Sequence, residues 1–211
     1  MTTPLNSPTS ISFVRHGLVH VRRGVYYGRL PGYRLNEVGV KQAQLTSEYL
    51  SDKSLAAVYS SPLLRARQTA EIILSRNNHL RLHVTQLLNE TLSPYDGQPR
   101  DFMAARDWDD YTGSPLEYEQ PVEIIARLFK FITKIRQQYP GQHVAAVSHG
   151  DPIAFTILWA MGLPVSNQGK LAFHHTGFQD PYPAPASIST FTYQTFSKDE
   201  IPHIDYVNLS P

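Results

Sequence analysis

A short phrase written twice constrains this chain more than any other feature. Phe13-Val14-Arg15-His16-Gly17 stands near the start, and Ala146-Val147-Ser148-His149-Gly150 stands two thirds of the way along. Each is an apolar run that ends in histidine and then glycine. The runs, Ile11 to Val14 and Val144 to Val147, read as short strands buried on both faces. In an open sheet of parallel strands, ligands bind beyond the carboxyl ends of the strands. Two histidines just past two such ends can therefore face one site, although 133 residues separate them.

The text around the two phrases alternates strand and helix. Asn36 reads as the N-cap of a helix through about Leu50. Ala56 to Tyr59 is a second strand, and Ser61 followed by Pro62 signals the start of a helix to about Arg76. Leu80 to Val84 is a third strand. Pro121 to Gln138 is a long amphipathic helix buried through Ile124, Ile125, Leu128, Phe131, Ile132 and Ile135, and Tyr139-Pro140-Gly141 stops it. An apolar helix from about Pro152 to Met161 follows, then strands near Ser187 to Tyr193 and Ile204 to Val207. Such alternation predicts an α/β sandwich.

Three stretches fall outside this pattern. Met1 to Ser10, with Pro4 and Pro8, predicts a disordered tail. His20 to Arg34, with Gly24, Gly28, Pro31 and Gly32, predicts a loop. Tyr95 to Tyr118 predicts an irregular lid around residues 95–120 with one short helix, its acidic run from Asp101 to Asp110 a solvated surface. The 211 residues suit one domain over 11–211, and 41% hydrophobic residues suffice for its core.

Composition removes several functional classes. With 19 basic against 18 acidic residues there is no overall basic field, so no nucleic-acid partner is expected. No cysteine is present, which excludes disulfides, thiolate metal sites and a cysteine nucleophile. The first ten residues hold no apolar signal core and no run approaches a membrane span, so a cytoplasmic protein without membrane partners is expected.

The chemistry gathers around phosphate. Arg15 beside His16 suggests an anion site, because a planar guanidinium fits phosphate oxygens. Arg65 stands near the start of the second helix, where the helix end also favours anions. Arg15, His16, Arg65 and His149 together would cradle a phosphate without metal. A histidine ring nitrogen is a competent nucleophile toward phosphorus. Glu90, just after the third strand, is the candidate proton donor, since a carboxyl beside a phosphate dianion has its pKa raised. The other histidines do not suggest a metal: His79 and His83 flank a strand, and the adjacent rings of His174 and His175 are expected to diverge. Gly28 to Gly32 lacks the Gly-Lys-Ser/Thr of a nucleotide loop. Ser148 lacks a Gly-x-Ser-x-Gly context.

Taken in order, these residues resemble a known family. Arg15-His16-Gly17, Gly28-Arg29, Leu35-Asn36-Glu37-Val38-Gly39, Ser60-Ser61-Pro62-Leu63-Leu64-Arg65-Ala66 with Gln68-Thr69-Ala70, Leu88-Asn89-Glu90 and Ser148-His149-Gly150 are similar to the motifs of the histidine phosphatase superfamily, in its phosphoglycerate-mutase-like branch. The resemblance implies a three-layer α/β/α sandwich with a mostly parallel central sheet. It implies His16 as the phosphorylated nucleophile, Arg15, Arg65 and His149 as the phosphate pocket, and Glu90 as the proton donor. Gly17, Tyr27, Gly28, Arg29 and Gly150 would join Arg15, Arg65 and His149 in binding substrate. One departure concerns Leu18-Val19-His20-Val21-Arg22-Arg23, where the family often has an acidic or polar pair and then an asparagine. Arg22 and Arg23 read as a solvated pair.

The implied function is a metal-independent phosphatase that hydrolyses small phosphorylated metabolites through a phosphohistidine and needs no cofactor. Only 59 residues separate Glu90 from His149, a short gap that favours phosphatase over phosphoglycerate mutase. A phospho-ligand sensor of the same fold is the non-enzyme alternative, against which the intact set of five residues argues. A homodimer stays open.

Overall fold

In the computed structural model, residues 4–20 and 24–210 are described. Arg22 and Arg23, and residues 1–3 of the expected tail, lie outside them. Six strands form one sheet: β1 (Pro4–Arg15), β2 (Leu55–Ser60), β3 (Leu82–Val84), β4 (His143–Ser148), β5 (Ile188–Thr195) and β6 (His203–Val207). Their order is β3-β2-β4-β1-β5-β6. β3, β2, β4 and β1 pair in parallel, and β5 alone runs against its neighbours.

The central strands are largely apolar on both sides because each side carries helices, buried Ser12 of β1 being satisfied by His143 and Thr190. Ile11, Phe13, Val144 and Ala146 face α4 (Pro121–Gln138) and α5 (Gly150–Ala160). Val14, Ala145 and Val147 face α1 (Glu37–Ser51) and α2 (Leu64–Ser75). The three-layer sandwich follows from this two-sided burial. α4 presents the expected inward residues, from Ile124 to Ile135, to the larger of the two cores. Two short helices complete the chain, α3 (Arg100–Ala104) in the expected lid and α6 (Asn167–Leu171), which the sequence pattern did not announce. Among the described residues, no helix is long and apolar enough to cross a membrane.

Three boundaries differ from expectation. The described part of the tail is strand: β1 begins at Pro4, and its register against β5 shifts between Pro4 and Thr9. Pro8 falls in that irregular stretch, where a missing N–H costs least. The remote strand β5 supplies a ladder that local sequence could not disclose. The third strand is shorter than expected, because the chain turns back at Leu80 to bond Asn77 O before pairing begins. The helix start expected at Ser61-Pro62 is displaced as well. α2 starts at Leu64, two residues later, and Ser61 Oγ accepts both from Leu63 N at 3.3 Å and from His149 Nε2 at 2.7 Å.

β1 and β4 lie side by side, with Arg15 opposite Ser148. His16 N donates to Ser148 O at 3.1 Å, so the doubled phrase becomes two adjacent strand ends. The first turn after β1 is then locked against α1. A Cβ on Gly17 would overlap the Gly39 carbonyl, and one on Gly39 would overlap the Leu18 backbone. Backbone cannot yield as a side-chain tip can. Gly39→Ala is therefore expected to destabilise the chain by roughly 1–3 kcal/mol, read as a lower urea midpoint at unchanged m.

Candidate active site

The centre of the site is the Arg65 guanidinium, carried by the second residue of α2 and 1% exposed. Its Nε donates to His16 Nε2 at 3.1 Å, and its Nη2 lies 2.7 Å from Gly28 O and 3.2 Å from His149 Nδ1. The same Nη2 is 3.8 Å from Glu90 Oε2, which lies 3.6 Å from His149 Nδ1. The sheet topology has brought residues 16, 65, 90 and 149 into mutual contact.

The hydrogen bonds assign the tautomers. His16 Nδ1 faces Gly17 O at 2.8 Å, and a carbonyl only accepts, so Nδ1 carries the proton. Nε2 is left with a lone pair directed at Arg65. His149 accepts from Arg65 at Nδ1, and its Nε2 therefore donates to Ser61 Oγ, 2.7 Å away. Burial first, and the Arg65 charge second, hold both imidazoles well below 6.5, so both are neutral at pH 7. Burial also lifts the Glu90 carboxyl from 4.5 to about 7, against the pull of Arg65 and with help from Asp151.

Arg15 stands at the wall of the pocket. Its Nη1 donates to Pro183 O at 2.6 Å and its guanidinium lies over the Tyr182 ring, 5.3 Å from the centroid. Its Nε is buried and makes no hydrogen bond among the described residues. His149 is the N-cap of α5, so the unpaired amides of that helix begin at Gly150, beside the pocket. The arrangement gathers two neutral imidazoles, two guanidiniums, a helix N-terminus and a carboxyl raised to a pKa of about 7, a set that suits a tetrahedral anion.

His16, Glu90 and His149 also offer ligand atoms within 4.8 Å of one another, a spacing a cation can use. Arg65 already donates to the two facing histidine nitrogens. A metal would have to displace a buried guanidinium.

Comparison with known proteins agrees with this geometry. The model of the histidine phosphatase superfamily (branch 1) matches residues 11–180. The chain belongs to that superfamily. An uncharacterised protein of Mycobacterium tuberculosis is 31% identical over 94% of this chain and 95% of its own length. A Bacillus subtilis protein described as the uncharacterised phosphatase PhoE is 31% identical over 69% of this chain and 74% of its own. Among solved structures, a mycobacterial glucosyl-3-phosphoglycerate phosphatase superposes with a TM-score of 0.77 at 24% identity, over 95% of this chain and 99% of that one.

Not every residue expected of this histidine phosphatase reaches the pocket. Tyr27 does, with its ring 4.9 Å from the Arg65 guanidinium carbon. Gly28 does, through the carbonyl that Arg65 holds. Gly150 lines the pocket, and a Cβ there would collide with Tyr182. Arg29 turns away instead. Its Nη2 pairs with Glu119 at 2.6 Å and its Nε donates to Glu90 O at 2.8 Å, so it braces the backbone of Glu90 rather than a ligand. Arg127 does the same from α4, bonding Glu90 O and Glu119. Gly17 is also no substrate donor, since its N–H is taken by Thr69 Oγ1.

The acidic run is not the solvated surface expected of it throughout. Asp110 is buried, accepts from Ser93 and from Tyr26 Oη at 2.8 Å, and is pushed up to about 6 by burial and then by Asp151. The His174 and His175 rings do not diverge either; their centroids are 4.0 Å apart in a tight turn. Sequence reading missed Trp108, Asp151, Lys170 and Tyr182, which all line the pocket. Only Asp151 left a trace, as a charge at the start of an otherwise apolar helix.

Glu90 ties stability to pH. Its folded pKa lies above its unfolded value, so its contribution is complete below about pH 4.5 and is lost as pH rises through about 7. Glu90→Gln is expected to match the parent near pH 4.5 and to exceed it at pH 8 by up to about 3 kcal/mol in chemical unfolding. A pH-independent difference would show that the buried carboxyl is not the cause.

Proposed function

We propose that the protein is a metal-independent phosphomonoesterase that works through a phosphohistidine. The observation that carries this reading is the convergence of the His16 Nε2 lone pair, the buried Arg65 guanidinium and the Glu90 carboxyl at the ends of β1 and β4. Its membership of the histidine phosphatase superfamily, and its likeness to a relative described as a phosphatase, support it.

An incoming phosphate takes over the Arg65 donors, which releases the lone pair of His16. His16 Nε2 then forms a bond to phosphorus while the bond to the leaving oxygen breaks, and Glu90 gives that oxygen its proton. Arg15, Arg65 and the first amides of α5 face the equatorial oxygens, where electrostatic positioning supplies most of the acceleration. In the second step water attacks phosphorus and Glu90 takes its proton. The N–P bond breaks, and its electron pair returns to the imidazole.

Steady-state assays with a panel of phosphomonoesters test the reading. His16→Ala is expected to abolish hydrolysis, and a rapid quench should trap an acid-labile, base-stable label on His16 in the parent. Glu90→Gln should lower kcat by about 10²–10⁴-fold for alkyl phosphates, and less for 4-nitrophenyl phosphate, whose leaving group hardly needs an acid. The parent's kcat/KM should fall on the alkaline side as Glu90 ionises near pH 7. A metal chelator should change nothing. Activity that survives in His16→Ala, or that is lost with chelator, would refute the mechanism.

A further inference from the structure

We propose that Trp108 selects the leaving group, and that the pocket favours phosphomonoesters whose alcohol carries a ring that the indole can cover. The inference rests on the phosphatase reading above. The cavity beside Arg15 and Glu90 measures about 450 Å³, far more than a phosphoryl group needs. The rest must receive the alcohol. Trp108 lines it together with Tyr27, Leu171, Pro181 and Tyr182, so aromatic and apolar side chains share the lining with the charges of Arg100, Asp107 and Lys170.

Trp108 holds that position against its backbone preference. Asp107 and Trp108 are consecutive residues with φ of 51° and 56°, in the left-handed region where a side chain clashes with its own carbonyl. The pair closes the end of α3, with Asp107 N on Ala104 O and Trp108 N on Met103 O at 2.9 Å. A helix end that needed only closure would place glycine there. A bulky aromatic in that conformation persists only where its surroundings over-determine it.

Those surroundings are present. Lys170 Nζ, from α6, donates to Trp108 O at 2.8 Å and to Asp151 Oδ2 at 2.9 Å. Asp151 in turn accepts from Tyr111 Oη at 2.5 Å and from Tyr182 Oη. One buried carboxylate thus gathers the lid, α6 and the segment before β5, and Lys170 passes that rigidity to the Trp108 carbonyl. Arg100 lies against the indole at 4.8 Å from its centre. Trp108 is 37% exposed as a residue, and Leu171, which lines the same cavity, is 51% exposed. A rigid indole at the rim of a reactive pocket, fixed at a conformational cost, is a preorganised contact surface.

The test compares 1-naphthyl phosphate and glucose 6-phosphate, which carry aromatic and sugar rings, with glycerol 3-phosphate, which carries none. Trp108→Ala is expected to raise KM for at least one of the ring-bearing substrates by roughly fivefold to tenfold with kcat within about twofold. Both constants for glycerol 3-phosphate should stay as in the parent, which also certifies the fold. Which ring substrate responds identifies whether an aromatic or a sugar face is read. Trp108→Phe should recover most of the loss. Trp108→Gly, which removes ring and backbone penalty together, should melt above Trp108→Ala while showing the same loss of selectivity. A parallel loss on all three substrates, or no loss on any, would overturn the inference while leaving the phosphatase reading intact. If the parent hydrolyses none of the three or any other phosphomonoester, both fall.

Discussion

A guanidinium almost without access to water must find its acceptors inside the protein, and Arg65 finds them on three separate segments. Leaving such a charge unpaired would cost several kcal/mol, so its partners are held to it as firmly as it is held to them. His16, the Gly28 carbonyl and His149 are placed by that demand as much as by the strands that deliver them. Burial, with that charge second, keeps both imidazoles neutral and leaves each with a ring lone pair. Arg65 pulls the Glu90 pKa down as well, but burial raises it and outweighs that pull.

Around this centre lies a second layer of ion pairs whose task is placement. Glu119 holds Arg29 and Arg127, and both arginines hold the backbone carbonyl of Glu90. Asp151 does the equivalent work on the other side through two tyrosines and Lys170. Charges that look like ligands from the sequence are here fasteners for the residues gathered around Arg65.

What could be read from the sequence follows from how local the signal was. The strand ends at His16 and His149 were legible because apolar runs followed by His-Gly need no partner to be recognised. α4 was legible because a helical period of apolar residues writes itself over five turns. Arg65 was legible from the helix start before it and Glu90 from its place after the third strand, the resemblance agreed, and the structure brings both to His149. Arg29 was misassigned because the direction of its guanidinium is decided by Glu119, far along the chain. The strand nature of residues 4–10 depends on β5. Trp108, Lys170 and Tyr182 lie in or beside irregular segments, where bonds to distant residues fix them: Lys170 and Tyr182 to Asp151, and Trp108 to Lys170.

The placement of β1 between β4 and β5 bears on how the chain is made. β1 precedes the other five strands along the chain, yet its two neighbours begin at His143 and Ile188. Throughout most of synthesis an apolar strand has no edge to join, the condition under which nascent chains aggregate or engage chaperones. Both histidines wait on that closure, and so does Arg15, whose anchor is the carbonyl of Pro183. A chain cut short anywhere before β4 holds His16 in its sequence but lacks the strand end that sets it beside His149, so the site is withheld until the fold is complete.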